Sequence, residues 1–175
     1  ALQDLPLEWH FIGPIQSNKS RLVAENFAWV HAVDRLKLAQ RLSDQRPLAL
    51  GPLSVCIQVN VSGELSKHGV APDEVEALAL AVTSLPNLRL RGLMCIPEPS
   101  PDEAVLRARF RVMRELMSRM QAGGLALDTL SMGMSDDLEW AIAEGSTLVR
   151  VGSAIFGRRP QRNQQDLEQQ EDSAS

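Results

Sequence analysis

Two short segments near the end of the chain combine residue types that bind an anion. Ser131 lies in the run LSMG, and Gly152 and Ser153 directly follow the apolar run LVRV. A glycine lets a ligand approach the backbone, serine hydroxyls donate hydrogen bonds, and the first amides of a helical segment have no partner within it. If the two runs are neighbouring parallel strands, Ser131, Gly152, Ser153 and the amides of residues 153–155 form an anion site. The alternative is that these residues form only turns and caps.

The elements around these residues can be read from residues 128–157. Asp128–Ser131 alternates polar and apolar residues like a short strand, and Gly133 is expected to open a sharp turn. Ser135 is expected to cap the next helix, with two aspartates in its first turn, which makes that helix a poor anion site. Leu148–Val151 is predicted to be a second strand that leads into the glycine and serine.

The rest of the chain repeats the same alternation of strand and helix. Short apolar runs bounded by turn residues predict strands at Trp9–Ile12, Trp29–Val33, Leu53–Val59, Leu88–Met94, Asp128–Ser131 and Leu148–Val151. Such alternation predicts an α/β fold with a parallel sheet, of the (β/α)8 TIM-barrel type. Six strands are few for a closed barrel, and Ala1–Leu7 contains no strand pattern. We therefore expect an incomplete barrel over residues 1–159 that lacks the first two β/α units.

Composition excludes several classes of function. The net charge is −4 with no basic cluster, which argues against a nucleic-acid partner, and no apolar run approaches the ~20 residues of a membrane span. Cys56 and Cys95 lie in apolar runs and are expected to be buried free thiols, so neither a zinc site nor any other metal site is predicted. We expect a cytoplasmic protein whose tail, residues 160–175, is disordered because it has few apolar residues.

Four motifs in register resemble the pyridoxal phosphate homeostasis proteins, which are barrels related to the N-terminal domain of alanine racemase. The motifs are WHFIGPIQSNKS, IQVNVSGELSKHGV, LRLRGLMCIPEP and LSMGMSDDLEWAIAEGSTLVRVGSAIFG. The resemblance covers residues 8–159. It implies a (β/α)8 barrel that binds pyridoxal 5′-phosphate, without an assigned catalytic reaction. The implied role is a carrier or buffer in intracellular cofactor homeostasis, with transient partners among the enzymes that use the cofactor.

The resemblance also assigns residues. Ser131, Gly152 and Ser153 match the phosphate-binding positions, and Arg150 matches the arginine that faces the pyridine nitrogen. Arg150 and Gly152 point to the same side of a strand. A permanently protonated arginine leaves the ring nitrogen unprotonated, which suits holding the cofactor more than turnover. From the pattern alone, Arg150 could instead form an ion pair on the surface or between strands.

The lysine that links the cofactor covalently in the family lies upstream of every motif found here. The chain has three lysines, Lys19, Lys37 and Lys67. Lys19 and Lys67 match family lysines close to the site, yet each is also explained as a solvated surface charge, and Lys37 is expected on a helix surface. We therefore predict cofactor binding without a covalent link in this chain.

Two further polar residues are candidates for ligand contact. His10 could contact the ligand or be a satisfied core histidine, and Asn60 could contact it or cap the next loop. His31 has the same two interpretations as His10, a satisfied core histidine or a ligand contact. The alternative function is a racemase-like enzyme dependent on the same cofactor, which would need a lysine and typically a tyrosine as acid and base. The sequence has no tyrosine, so no catalytic residue is predicted.

Overall fold

The computed structural model describes residues 5–63 and 68–157. Within these ranges, six strands form one parallel sheet in the order of the sequence. The strands are β1 (His10–Phe11), β2 (Trp29–Val33), β3 (Leu53–Gln58), β4 (Leu88–Met94), β5 (Thr129–Met134) and β6 (Leu148–Arg150). This arrangement confirms the prediction of an incomplete (β/α)8 barrel. The boundaries predicted for the domain and the tail stay predictions, and residues 158–175 lie outside the described ranges.

Each strand is followed by a helix, as a parallel sheet requires. The helices are α1 (Ser20–Asn26), α2 (Leu36–Gln45), α3 (Val75–Thr83), α4 (Glu103–Ala122), α5 (Leu138–Ala143) and α6 (Ser153–Phe156). A 3-10 turn, Ser17–Lys19, leads into α1, and a second one, Leu48–Leu50, precedes β3. No helix among the described residues is both long and apolar enough to cross a bilayer.

The main core lies between the sheet and its helices. Leu38 and Leu42 of α2 and Phe110 of α4 are fully buried there, against strand residues such as Val55 and Leu93. A second, smaller cluster contains Trp29, Ala32, Cys56 and Met94. Cys56 and Cys95 are buried free thiols, as predicted, and burial raises the pKa of each to about 12. They are therefore unreactive at neutral pH.

Gly133 does not form the predicted turn. Strand β5 continues through Gly133 to Met134, and α5 begins only at Leu138. Gly133 has φ 94°, and a Cβ there would lie 2.6 Å from the Ala141 side chain and 3.2 Å from the Leu138 backbone. The glycine is thus needed because α5 packs against the strand at close range. As a consequence, Ser135 is not the N-cap of a helix, and the two aspartates precede α5 instead of occupying its first turn.

A buried arginine joins the end of α1 to the segment between α2 and β3. Arg46 is only 8% exposed and donates four hydrogen bonds to backbone carbonyls. Its Nη1 reaches Ala24 O at 2.7 Å and Phe27 O at 2.8 Å, Nε reaches Gly51 O at 2.8 Å, and Nη2 reaches Leu50 O at 3.2 Å. These carbonyls lie at the end of α1 and before β3, where neither helix nor sheet supplies a donor.

Candidate functional site

A pocket of about 1070 Å³ lies along the ends of the strands. Its wall includes His10, Gln58, His68, Arg150 and the Gly152–Ser153 pair, together with apolar residues such as Ile96 and Trp140. The volume is at the upper end of the ~300–1,000 Å³ that is usual for small-molecule sites. A mainly apolar wall with a few convergent polar groups is also typical of such sites.

The backbone at the end of β6 opens into this pocket. A Cβ added to Gly152 would meet no atom within 4 Å, so the space beside this residue is free for a ligand. No hydrogen bond among the described residues uses the amides of Gly152 and Ser153, whereas the Ile155 amide donates to Gly152 O at 2.9 Å. Of the three amides predicted to be free, only that of Ser153 is therefore unpaired within the described part of the chain.

Ser135 lies beside Gly152 and Ser153, where the sequence had predicted Ser131. The Ser135 hydroxyl accepts a hydrogen bond from the Ala154 amide at 3.3 Å, and Ser135 borders the pocket beside Ser153. Asp136 and Asp137 border the same region, and the Asp137 carboxylate accepts from the Met134 amide at 2.6 Å. We call Ser135, Gly152 and Ser153 the phosphate cradle, because the sequence predicted a phosphate site at the end of β6.

Ser131, which the sequence predicted to bind the phosphate, is not among the residues that border the pocket. Its side chain is fully buried, and its hydroxyl oxygen lies 2.9 Å from His31 Nδ1 and 2.8 Å from Arg150 Nη1. The strand register shifts between Ser131 and Met134, so residue spacing alone did not reveal which serine reaches the pocket. Ser131 instead lies beneath Arg150.

Arg150 is held from two sides. Its Nη1 donates to Ser131 O at 2.7 Å as well as to the Ser131 hydroxyl, and Nη2 donates to Cys95 O at 2.8 Å. Its Nε–H is buried and has no hydrogen-bond partner among the described residues. Among the described residues, Arg150 therefore forms neither of the ion pairs considered from the sequence. Its guanidinium is fixed at the pocket, and Nε is the buried nitrogen left without a partner among the described residues.

His31 is buried among β2, β5 and the histidine of β1. Its Nε2 lies 2.9 Å from His10 Nδ1, and His10 Nε2 lies 3.2 Å from the Glu8 carboxylate. Burial, with smaller contributions from His10 and Arg150, lowers the pKa of His31 from 6.5 to about 4. His31 is therefore neutral at physiological pH. It does not place a second positive charge beside the guanidinium of Arg150.

The lowered pKa makes folding stability dependent on pH. Because the folded pKa of His31 is depressed, its contribution is present above pH 6.5 and is lost as the pH falls toward 4. We expect the free energy of unfolding to fall by roughly 2 kcal/mol between about pH 7 and pH 4.5 through this residue. Urea unfolding of the wild type and of His31→Asn at both pH values measures the effect as a difference. Equal pH dependence in both proteins would contradict the assignment.

The other predicted candidates lie as follows. His10 is partly buried, stacks on Trp29 at 5.1 Å between ring centroids, and borders the pocket. The Asn60 side chain accepts hydrogen bonds from the amides of Ser62 and Gly63, so it caps the loop and does not border the pocket.

Lys19 and Lys37 are exposed and lie outside the pocket wall. Lys67 lies outside the described residues. Gln58 and His68 border the pocket, although their sequence pattern did not single them out.

Comparison with known proteins identifies the family. The family described as alanine racemase, N-terminal domain, matches residues 5–160. The chain belongs to this family. A pyridoxal phosphate homeostasis protein of Pseudomonas aeruginosa is 66% identical over 158 residues, which cover 90% of this chain and 67% of that protein. The chain thus spans about two thirds of the length of this curated relative. The resemblance predicted from the four motifs is confirmed.

Solved structures of the family have the same fold. PipY of Synechococcus elongatus, determined with PLP bound, is 38% identical with a TM-score of 0.79, and the match covers 89% of this chain and 74% of that one. An alanine racemase of Clostridium difficile matches with a TM-score of 0.75 over 90% of this chain and 41% of that one. Its identity is only 13%, so this likeness concerns the fold alone.

Proposed function

We propose that the chain binds pyridoxal 5′-phosphate without a covalent link and serves as a non-catalytic carrier in the homeostasis of that cofactor. The names of its relatives and the bound PLP of PipY support this proposal. Because the chain spans about two thirds of the Pseudomonas relative, the activity of a whole protein is part of the proposal. A cytoplasmic location and transient hand-over to enzymes that use the cofactor are also part of it.

The observation that carries the proposal lies at the end of β6. Gly152 opens to the pocket, and two residues earlier the buried Nε–H of Arg150 has no partner among the described residues. A phosphate needs donors and unobstructed backbone, and a pyridine nitrogen needs one donor. The phosphate cradle would hold the phosphate through the Ser153 amide and two hydroxyls, and Arg150 would donate to the ring nitrogen. The residues of this pocket therefore fit both polar ends of the cofactor.

The chemistry that the cofactor supplies when bound is that of a reactive aldehyde on an electron-accepting ring. Burial lowers the pKa of Arg150, but the ordinary pKa of arginine is so high that the guanidinium stays protonated. Arg150 therefore donates a hydrogen bond to the ring nitrogen without transferring a proton. This arrangement keeps the ring a weak electron acceptor, which suits storage of the cofactor.

The racemase-like alternative lacks its acid and base among the described residues. Neither Lys19 nor Lys37 borders the pocket, and the sequence contains no tyrosine. Asp136 and Asp137 are carboxylates near the cradle, and their negative charges oppose a bound dianion. We therefore expect weak, reversible binding.

The test is a titration of the protein with pyridoxal 5′-phosphate, followed by absorbance and by equilibrium dialysis. We expect saturable binding that dialysis reverses. Borohydride would fix any covalent link to a lysine, and peptide mass mapping should find no modified Lys19, Lys37 or Lys67. Incubation of the loaded protein with L-alanine should yield no D-alanine. Absence of saturable binding would overturn the proposal, and steady racemisation would favour the alternative.

A further inference from the structure

Five side chains form a continuous line of hydrogen bonds from the protein surface to the pocket arginine. The line runs from Glu8 through His10, His31 and Ser131 to Arg150, with distances of 3.2, 2.9, 2.9 and 2.8 Å between successive atoms. It crosses from β1 through β2 and β5 to β6, so all four strands contribute. We call it the Glu8–Arg150 chain. A carboxylate ends it at the surface and a guanidinium ends it at the pocket, which His10 and His31 also border.

The donor at each junction follows from the two ends. A guanidinium can only donate, so the Ser131 hydroxyl oxygen accepts from Arg150 and its own proton points to His31 Nδ1. Neutral His31 then carries its proton on Nε2 and donates to His10 Nδ1. His10 in turn carries its proton on Nε2 and donates to the carboxylate of Glu8. Each hydrogen bond in the line contains one proton, and each donor points away from Arg150 and toward Glu8.

The opposite direction leaves groups unsatisfied. If His31 donated through Nδ1, the Ser131 proton would have no acceptor within the chain, although Ser131 is fully buried. His31 Nε2 would then require a proton from His10 Nδ1. A neutral His10 would consequently turn a bare nitrogen toward the carboxylate of Glu8, which is repulsive. With His31 neutral, only one direction gives the proton of the buried Ser131 hydroxyl an acceptor within the chain.

We propose that Ser131 and His31 are positioning residues that hold the Arg150 guanidinium at the pocket, with the Nε2–H tautomer in both His10 and His31. The proposal rests on the proposed function only where it names pyridoxal 5′-phosphate as the ligand that Arg150 meets. With Nη1 and Nη2 engaged by Ser131 and by the Cys95 carbonyl, the side chain is held in one orientation, and its buried Nε–H has no partner among the described residues. The Arg150 guanidinium is thus fixed in its orientation before the ligand binds.

Variants can separate this role from simple packing. An asparagine at position 31 can place its amide oxygen where Nδ1 lies, so it still accepts from the Ser131 hydroxyl. A leucine at position 31 has similar bulk but no acceptor. Ser131→Ala removes the link to His31 and leaves Arg150 bonded to the two backbone carbonyls. We expect His31→Leu and Ser131→Ala to weaken cofactor binding about tenfold, and His31→Asn to remain within about threefold of the wild type.

The tautomers are measured on the ligand-free protein by two-dimensional NMR correlation of the imidazole nitrogens and carbon-bound protons. We expect the Nε2–H pattern for His10 and His31 in the wild type, and loss of the fixed His31 pattern in Ser131→Ala. An Nδ1–H pattern for His31, or equal affinity in all variants, would overturn the proposal. If the wild type does not bind pyridoxal 5′-phosphate, the proposed function fails, and the tautomer spectra still decide the direction of the chain.

Discussion

Gly152→Asp should abolish binding of pyridoxal 5′-phosphate. The new side chain would enter the open space beside the phosphate cradle and place a carboxylate where the phosphate is proposed to lie. Two unit charges about 4 Å apart at a protein surface repel by about 4 kcal/mol, which corresponds to a loss of affinity of about a thousandfold. The measurement is the dissociation constant, obtained by the titration used for the wild type.

Two variants serve as controls for this result. Gly152→Ala adds a methyl group without charge and should cause a smaller loss than the aspartate. Gln40→Glu adds the same negative charge on the exposed side of α2, outside the pocket wall, and should leave the affinity unchanged. If Gly152→Asp binds the cofactor with wild-type affinity, the end of β6 is not part of the binding site. Equal losses of affinity in Gly152→Asp and Gln40→Glu would show that the effect comes from the change in net charge alone.

Arg46→Met should lower the free energy of unfolding by about 4 kcal/mol. Methionine keeps much of the side-chain volume but donates no hydrogen bond, so the four carbonyls bound by Arg46 lose their partner. Chemical denaturation measures the loss. Arg46→Lys should recover part of it, because one ammonium can reach some of the four oxygens but cannot match the planar guanidinium.

The neighbouring Arg41 provides a matched comparison. Arg41 also donates to one oxygen, the Ser20 hydroxyl at 3.2 Å, but it lies on α2 and is not among the buried residues. We expect Arg41→Met to cost less than about 1 kcal/mol. A cost for Arg46→Met as small as that for Arg41→Met would show that the carbonyls are satisfied by water when the guanidinium is removed.

The fold could be predicted from the sequence because its pattern is local and repeated. Leu88–Met94 was predicted with the bounds that β4 has, and the alternation of strand and helix gave the parallel order. Gly133 could not be interpreted in the same way. A glycine that opens a turn and a glycine that admits a close helix look the same in a sequence, and only the contact with Ala141 distinguishes them.

The site was predicted in part for the same reason. Gly152 and Arg150 border the pocket as expected, since both lie on one short strand end. Ser135 borders the pocket and Ser131 does not, and the register shift within β5 that accompanies this difference is not visible in residue spacing. His31 was predicted, like His10, to be either a core histidine or a ligand contact, and it is buried and also borders the pocket. Its partner Ser131 is 100 residues away in the sequence, so local patterns carry no information about that bond.

The central claim is that the end of β6 and the start of α6 hold the phosphate of the cofactor. The most direct measurement is the shift of backbone amide NMR signals when pyridoxal 5′-phosphate, or pyridoxal without its phosphate, is added to labelled protein. We predict large shifts for the amides of Gly152, Ser153 and Ala154 with the phosphorylated form and small ones with pyridoxal. Saturable binding that leaves these three amides unchanged would contradict the account.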